Sequence, residues 1–481
     1  MSLRRVVVAP VVVVVAAAAL GASSASARPD DPGSDLFTFD VGDVVETFDS
    51  AGFRVHYTRA GTHAVPSADA DSDGVPDHVQ RLADIYEDAL GAYSLLGFLA
   101  PVSDDGLVDN GGDGRFDVYL VDFGRSADGA YRAERCEGAI CSGYMVQEND
   151  FVGYGYPSVD VANRTVASHE LFHAVQAAYD SDQGAVFSEA TAVWASERYD
   201  PTLRDLEGYA HGYLEEAATP LDAGGGGPVD SFTYGAGIFF EYLSERFDDD
   251  VTLELWEAVK DDVEASAFWF DAIDGVLASR NSSFADAFTE FSTWTLFTGR
   301  RADPERSFAT GAQMVLREPV SKTLPIDEAS FVVFTASSRL LTASTRERDT
   351  LRVVLAGADS ARDGARVFVL PLGDAGPLDL VDATAGDDID VADAFEVLVL
   401  VVNARQEGSS IRPRLCVGTP DEVTACAAPA EGEGEGEGEG EDDPRLGGGG
   451  CAQTSSSSSS MSVVVLAALV ALRPSGRRRR R

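Results

Sequence analysis

The chain has 481 residues, with 80 acidic against 37 basic side chains and a formal net charge of -43. That length allows two or three domains with substantial cores. A chain this acidic repels phosphate, which argues against nucleic acid as a partner and favours solubility outside the cell.

The N-terminus reads as a secretory signal over residues 1–27. Arg4 and Arg5 are followed by the apolar run from Val6 to Gly21 and by Ala25-Ser26-Ala27, a small-residue cleavage site that places the cut after Ala27. An uncleaved membrane anchor fits less well, because the apolar core is short and the cleavage motif follows directly. The five cysteines suit an oxidising compartment. Cys136 lies close to Cys141, and Cys416 to Cys426, so each pair can close a small loop. Cys451 is left over, and no CxxC spacing suggests metal binding by thiolates.

Residues 28–320 read as one α+β domain. FRVHYT, FDVYLVDF and GYMVQENDFV have strand character. Between the first two, PDHVQRLADIYEDALGAYSLL has helical periodicity with Pro near its start. Next come helical segments: RTVASHELFHAVQAAY, SEATAVWASERY, YGAGIFFEYLSERF, LELWEAVKD and SFADAFTEFSTWTLF. A strand-bearing lobe followed by helices suits a zincin-like metallopeptidase.

The segment HELFH carries the chemistry. Helical geometry brings His169 and His173, at i and i+4, onto one face where both imidazoles can reach one metal ion. Glu170 between them lies beside the open coordination position, where it can act as general base on water polarised by zinc. A zinc peptidase site needs a third protein ligand. The metzincin continuation HExxHxxGxxH fails, because Gln176 and Tyr179 stand at the positions of its Gly and third His. Glu189, 16 residues after His173 and flanked by the small Ala190 and Ala192, is the preferred third ligand. Glu197 and His211 are its rivals. Tyr234, in SFTYGAGIFFEYL, is a candidate donor to the tetrahedral oxyanion, with His211 as the alternative. Asp180 or Glu197 could orient a metal-binding histidine.

The loop DADSDGVPD offers Asp69, Asp71, Asp73 and Asp77, oxygen ligands at alternating positions with Gly74 for the turn, as a calcium-type loop. It departs from an EF-hand, since Gln80 stands where the twelfth-position Glu would be. An Asx-rich turn capping the next helix is the competing reading.

After residue 320, FVVFTA, RLLTAS, LRVVLAG, ARVFVLPLG and FEVLVLVVN are short β-rich runs separated by turn residues. They suggest a β-sandwich accessory domain over residues 321–426 without a catalytic constellation. Residues 427–446 contain a strict Glu-Gly alternation, an acidic linker that cannot bury apolar surface. Residues 447–481 combine a glycine run, Cys451, a serine run, a short apolar stretch and terminal arginines. The apolar stretch is short for a stable span.

The stretch from Phe53 to Arg301 resembles a family of secreted HExxH zinc metalloproteases of myxobacteria. The resemblance rests on DSDGVPDHV, FDVYLVDF, SHELFHAVQAAYD, SEATAVWASERYD, YGAGIFFEYL and FTEFSTWTLFTGRR. It implies zinc, proteolysis of the gluzincin kind, and a site at His169, Glu170, His173 and Glu189. The His-to-Glu spacing is slightly shorter than in thermolysin-like enzymes, and Val193 stands where their Asp after the Glu would be. The tail is similar to C-terminal sorting signals of the MYXO-CTERM type. That similarity implies transient membrane association, a sorting protease acting near Cys451, and display at the cell surface or outer membrane or release to the medium. Protein or peptide substrates are the expected partners. The alternative function is a non-enzymatic, surface-displayed metal-binding or adhesion protein built on a degenerate peptidase scaffold. A zinc hydrolase acting on cell-wall peptides is a further reading.

Overall fold

The computed structural model describes residues 28–30, 37–222, 229–260, 268–346, 348–358, 362–408 and 410–428. The expected signal peptide, the Glu-Gly linker beyond Ala428 and the C-terminal tail, Cys451 included, lie outside the described residues. Among those described, no helix is long and apolar enough to cross a membrane.

The first layer is a mixed sheet of β1 (Val45–Asp49), β2 (Phe53–Thr58), β3 (Phe116–Val121), β4 (Gly129–Glu137) and β5 (Ile140–Glu148), with α1 (Asp77–Leu95) connecting β2 to β3. The spatial order is β1-β2-β3-β5-β4. β2, β3 and β5 run parallel, whereas β1 and β4 are antiparallel edge strands. Alternate residues of β3 face opposite sides. Val118 and Leu120 join the main core, whereas Tyr119 and Val121 pack with Phe39, Phe123 and Tyr144 on the other face. Cys136 and Cys141 sit opposite each other across the β4–β5 hairpin and are disulfide-bonded.

Arg28 is buried under this sheet. Its guanidinium pairs with Asp104, Asp117 and Glu134, and His56 bonds the other Asp117 oxygen at 2.7 Å.

The helical layer comprises α2 (Val159–Gln176), α3 (Ala185–Tyr199), α4 (Asp205–Glu216), α5 (Ser231–Gly235), α6 (Gly237–Arg246), α7 (Asp250–Ala258), α8 (Trp269–Ala278) and α9 (Phe284–Trp294). α2 begins earlier than RTVASHELFH suggests, because Ser158 caps it by accepting a hydrogen bond from Val161 N at 3.2 Å. From Val166 to Gln176 every residue of α2 is buried. Over this stretch the helix has no solvent face, and its two histidines sit inside the molecule rather than on an amphipathic stripe. YGAGIFFEYLSERF is divided between α5 and α6, and α4 and α8 are helices that periodicity did not single out.

The remainder is β-rich: β6 (Val320–Lys322), β7 (Ile326–Glu328), β8 (Ser337–Ser344), β9 (Thr350–Ala356), β10 (Ala365–Gly373), β11 (Gly376–Pro377), β12 (Val381–Asp382), β13 (Asp388–Asp390), β14 (Glu396–Asn403) and β15 (Arg414–Gly418), ending in α10 (Pro420–Ala427). One sheet has the order β11-β10-β14-β8-β6 with β12 beside β10; the other is β13-β9-β15-β7. They share a core that includes Leu341, Val353, Leu355, Val399, Val401, Leu415 and Val417. The alternate residues Leu340, Leu398, Leu400 and Val402 join the helical core instead. β14 reads as an unbroken apolar run because both of its faces are covered. FVVFTA does not form a strand: only an isolated bridge, Val333 to Ile411, forms there. Phe331 and Val333 are buried by packing into the shared core rather than by a ladder. Cys416 and Cys426 are disulfide-bonded, tying β15 to α10. The described residues up to Ala428 form one compact unit.

Candidate metal centre and adjoining cavity

α2 and α3 are clasped at both ends. Ser168 Oγ bonds Ser196 Oγ at 3.1 Å. At the other end, Gln176 Nε2 donates to Ser188 O at 2.7 Å and to Thr191 Oγ1 at 3.0 Å. The clasp sets Glu189 of α3 opposite the two histidines of α2. Glu189 Oε2 lies 3.2 Å from His169 Nε2 and 3.4 Å from His173 Nε2. One ligand atom from each of the three residues lies within 4.8 Å of the others.

All three side chains are buried, and beyond the 3.4 Å approach of Glu189 Oε2, His173 Nε2 has no hydrogen-bond partner. A buried imidazole nitrogen without a full hydrogen bond is costly, and a bound cation would relieve that cost. Two imidazole nitrogens and a carboxylate oxygen are the donor types that zinc takes, so this set fits that ion. Against the cost of burial, the two imidazoles hold the Glu189 carboxyl at about 2. Burial likewise opposes protonation of His173, but Glu189 raises its pKa to about 9.

The partner that orients His173 is Gln176, whose Oε1 lies 2.8 Å from Nδ1. Ser188 Oγ stands 3.3 Å from the same nitrogen. Neither Asp180 nor Glu197 fills that role. The Asp180 carboxylate accepts from Asp182 N and Gln183 Nε2. Glu197 sits in a separate acidic group with Glu207 and Glu241, where burial pushes it up to about 8. His211 is also apart, partly exposed, with Nδ1 on Gly208 O at 2.8 Å.

Glu170 is buried beside this trio, and its Oε2 accepts a hydrogen bond from Tyr131 N of β4 at 3.1 Å. Burial pushes its carboxyl above the ordinary range, against the pull of the two imidazoles. β4 can approach so closely because residue 129 is glycine: a Cβ there would stand 2.5 Å from Val166 Cγ1 and 3.0 Å from Glu170 Cγ.

A cavity opens next to His169 and Glu170. Asp128, Tyr156, Asp205, Tyr209 and Tyr234 contribute to its wall. Tyr234 is 3% exposed, lies 5.6 Å ring to ring from His169, and its hydroxyl has no hydrogen-bond partner. Burial pushes its pKa far above the usual range, so the phenol keeps its proton and can donate it to a hydrogen bond. Tyr209 stacks on Tyr234 at 4.8 Å. That stack depends on contact between α4 and α5, which Gly212 permits, since a Cβ there would sit 1.7 Å from Ser231 O. Asp128, Tyr156, Asp205 and Tyr209 come from segments with no motif, so only their tertiary convergence marks them.

In the calcium-type loop, Asp69, Asp71 and Asp73 each bring a carboxylate oxygen within 4.8 Å of the others. Asp77 does not belong to this trio; its carboxylate accepts from Ala70 N at 3.0 Å, near the start of α1. Gln80 Nε2 donates to Asp73 Oδ2 at 2.8 Å, so it holds the loop without supplying a bidentate carboxylate. A third cluster, Asp40, Asp43 and His63, had no sequence signal.

No protein-family model and no curated protein sequence matches the chain.

Proposed function

We propose that this protein is an exported zinc-dependent endopeptidase with a zincin-like domain. The observation that carries this reading is the convergence of His169, His173 and Glu189 donor atoms within 4.8 Å, inside the core. The buried Glu170 beside them adds to it. His169 Nε2, His173 Nε2 and Glu189 Oε2 would hold the ion. Zinc bound there supplies Lewis acidity, polarising a peptide carbonyl and lowering the pKa of a coordinated water toward about 7.

The remaining work falls to side chains of this protein. With Glu170 Oε2 held by Tyr131 N–H, Oε1 is the atom that takes the proton of the attacking water and returns it to the leaving amine. The unpartnered Tyr234 hydroxyl donates to the developing oxyanion. Gln176 keeps the His173 ring turned with Nε2 toward Glu189. β4, an edge strand lying along α2, can pair with an extended peptide through its backbone. We further propose calcium at Asp69, Asp71 and Asp73, and export and tail processing near Cys451 as the sequence suggests.

Glu170→Gln should retain stoichiometric zinc and lose cleavage of casein or a fluorogenic peptide. Full activity in this variant would sink the general-base assignment. Zinc binding by the wild-type protein without cleavage of any protein or peptide would favour the non-enzymatic, metal-binding surface protein.

A further inference from the structure

Arg28 is the residue that cleavage after Ala27 places at the head of the mature chain. It is 2% exposed, against the sheet face of Tyr119 and Tyr144 that turns away from the helical core. Its guanidinium makes five hydrogen bonds, the full complement of that group. Nε and Nη2 donate to the two Glu134 oxygens at 2.9 and 2.7 Å. Nη1 donates to Asp117 Oδ2 at 2.5 Å and Tyr119 OH at 3.3 Å, and Nη2 also to Asp104 Oδ2 at 2.5 Å. The Tyr144 ring centre lies 5.4 Å from Cζ. One side chain thus ties together β3, β5 and β4, which carry Asp117, Tyr144 and Glu134. The β4 register against β5 slips between Ala133 and Arg135, leaving Glu134 as the extra residue of a bulge, a device that re-aims a side chain. Three carboxyl groups meet this single guanidinium, and Asp104 Oδ1 is buried with no hydrogen-bond partner, so the cluster has room for further positive charge.

We propose that Asp104, Asp117 and Glu134 form a binding pocket for an N-terminal arginine, filled by Arg28 once the signal peptide is removed, and that filling it fixes β4 beside Glu170. The proposal rests on cleavage after Ala27, and on the peptidase reading only for the role of Glu170. Hydrolysis of the Ala27–Arg28 bond turns the Arg28 amide nitrogen into an ammonium at neutral pH, a second cation on the residue that fills the pocket. It also frees the chain from the apolar run Val6 to Gly21, which the membrane holds during export. β4 is an edge strand, held by a ladder on one side only, so a clamp at Glu134 matters to its position. Three residues away, Tyr131 N–H holds Glu170 Oε2 at 3.1 Å. Filling the pocket therefore couples removal of the signal peptide to placement of the general base. Lysine does not substitute, because its ammonium lacks the planar fork that bridges these carboxyls.

The test compares the exported wild-type protein with two full-chain variants. Intact mass should show the wild-type protein beginning at Arg28; any other first residue overturns the proposal. Ala27→Leu blocks cleavage by placing a bulky residue at the cut. In the same detergent, β4 amides of this precursor should exchange hydrogen about 10-fold faster than those of the processed protein. Equal exchange overturns the proposal, and this comparison leaves the pocket residues untouched, so it holds even where Arg28→Ala does not fold. In processed Arg28→Ala, argininamide, which carries both an ammonium and a guanidinium, should raise the thermal midpoint by about 2–4 °C at ten times its dissociation constant. Leucinamide and lysinamide should not, and wild-type protein, its pocket filled, should not respond to any of the three. No rescue by argininamide, or equal rescue by lysinamide, overturns the proposal. Peptide cleavage by the wild-type protein separates the two readings. Rescue and slowed exchange without cleavage refute proteolysis and leave the pocket standing. Cleavage without rescue refutes the pocket and leaves proteolysis standing.

Discussion

Gly129 is the position where a single methyl group should separate structure from catalysis. A Cβ there would stand 2.5 Å from Val166 Cγ1 and 3.0 Å from Glu170 Cγ. Relaxed carbon contacts lie at roughly 3.5–4.0 Å, so β4 and α2 must part by about 1 Å. In a strand without such a neighbour, Gly→Ala should stabilise by about 0.4–1 kcal/mol by restricting the unfolded chain. Overpacking of this kind costs about 1–3 kcal/mol, so the net effect of Gly129→Ala is a destabilisation of about 1–2 kcal/mol. The same displacement stretches the 3.1 Å bond from Tyr131 N to Glu170 Oε2 beyond hydrogen-bonding range. If Glu170 is the general base proposed above, misplacing it by about 1 Å should lower turnover about 100-fold. Zinc content should not change, because the proposed ligands lie on α2 and α3 and none on β4. Urea midpoints, kcat on a fluorogenic peptide and elemental analysis read the three effects separately. An unchanged midpoint together with unchanged turnover would refute the reasoning, since β4 would then exert no control over Glu170.

Gln176→Ala removes the 2.8 Å partner of His173 Nδ1 and should weaken zinc binding about 10- to 100-fold, measured by chelator competition; equal affinity would contradict its orienting role. Arg28→Ala leaves Asp104, Asp117 and Glu134 buried without their shared cation and should cost about 3–5 kcal/mol at neutral pH by urea unfolding. The pH dependence follows from Asp104, which burial pushes up to about 6 even with Arg28 beside it. A raised carboxyl pKa in the fold means that stability is fully present below the unfolded value and is lost as pH rises through about 6. The Arg28→Ala deficit should therefore be largest above pH 6 and shrink below it, where Asp104 can be neutral; a deficit independent of pH would refute the charge argument. Calcium added to zinc-loaded protein should raise the thermal midpoint through Asp69, Asp71 and Asp73, and Asp71→Asn should remove that rise. No calcium effect on the midpoint would rule out binding at this loop.

HELFH and its partner helix are legible in the sequence because helical spacing alone aligns His169 with His173, and small residues beside Glu189 announce a close helix contact. The strands FRVHYT and FDVYLV are legible for a similar reason, being apolar runs of strand length bounded by turn residues. The limits appear where a residue's role depends on a neighbour distant in sequence. Gln176 is the clearest case. Read along the chain, it is the residue that breaks the metzincin pattern; in the fold it supplies the hydrogen bond His173 Nδ1 needs. Its amide can do this only because Ser188 and Thr191 of α3 hold its other end, a constraint set by helix packing and not by spacing. Asp128 and Asp205 line the cavity beside His169 and Glu170 from a strand start and a helix start, positions where an acidic residue ordinarily needs no further explanation. FVVFTA fails as a strand for the complementary reason. Its apolar residues are buried as expected of a strand, but burial there comes from Phe331 and Val333 reaching into the core between two sheets. Apolar patterning reports what must be covered, whereas hydrogen-bond partners decide what covers it.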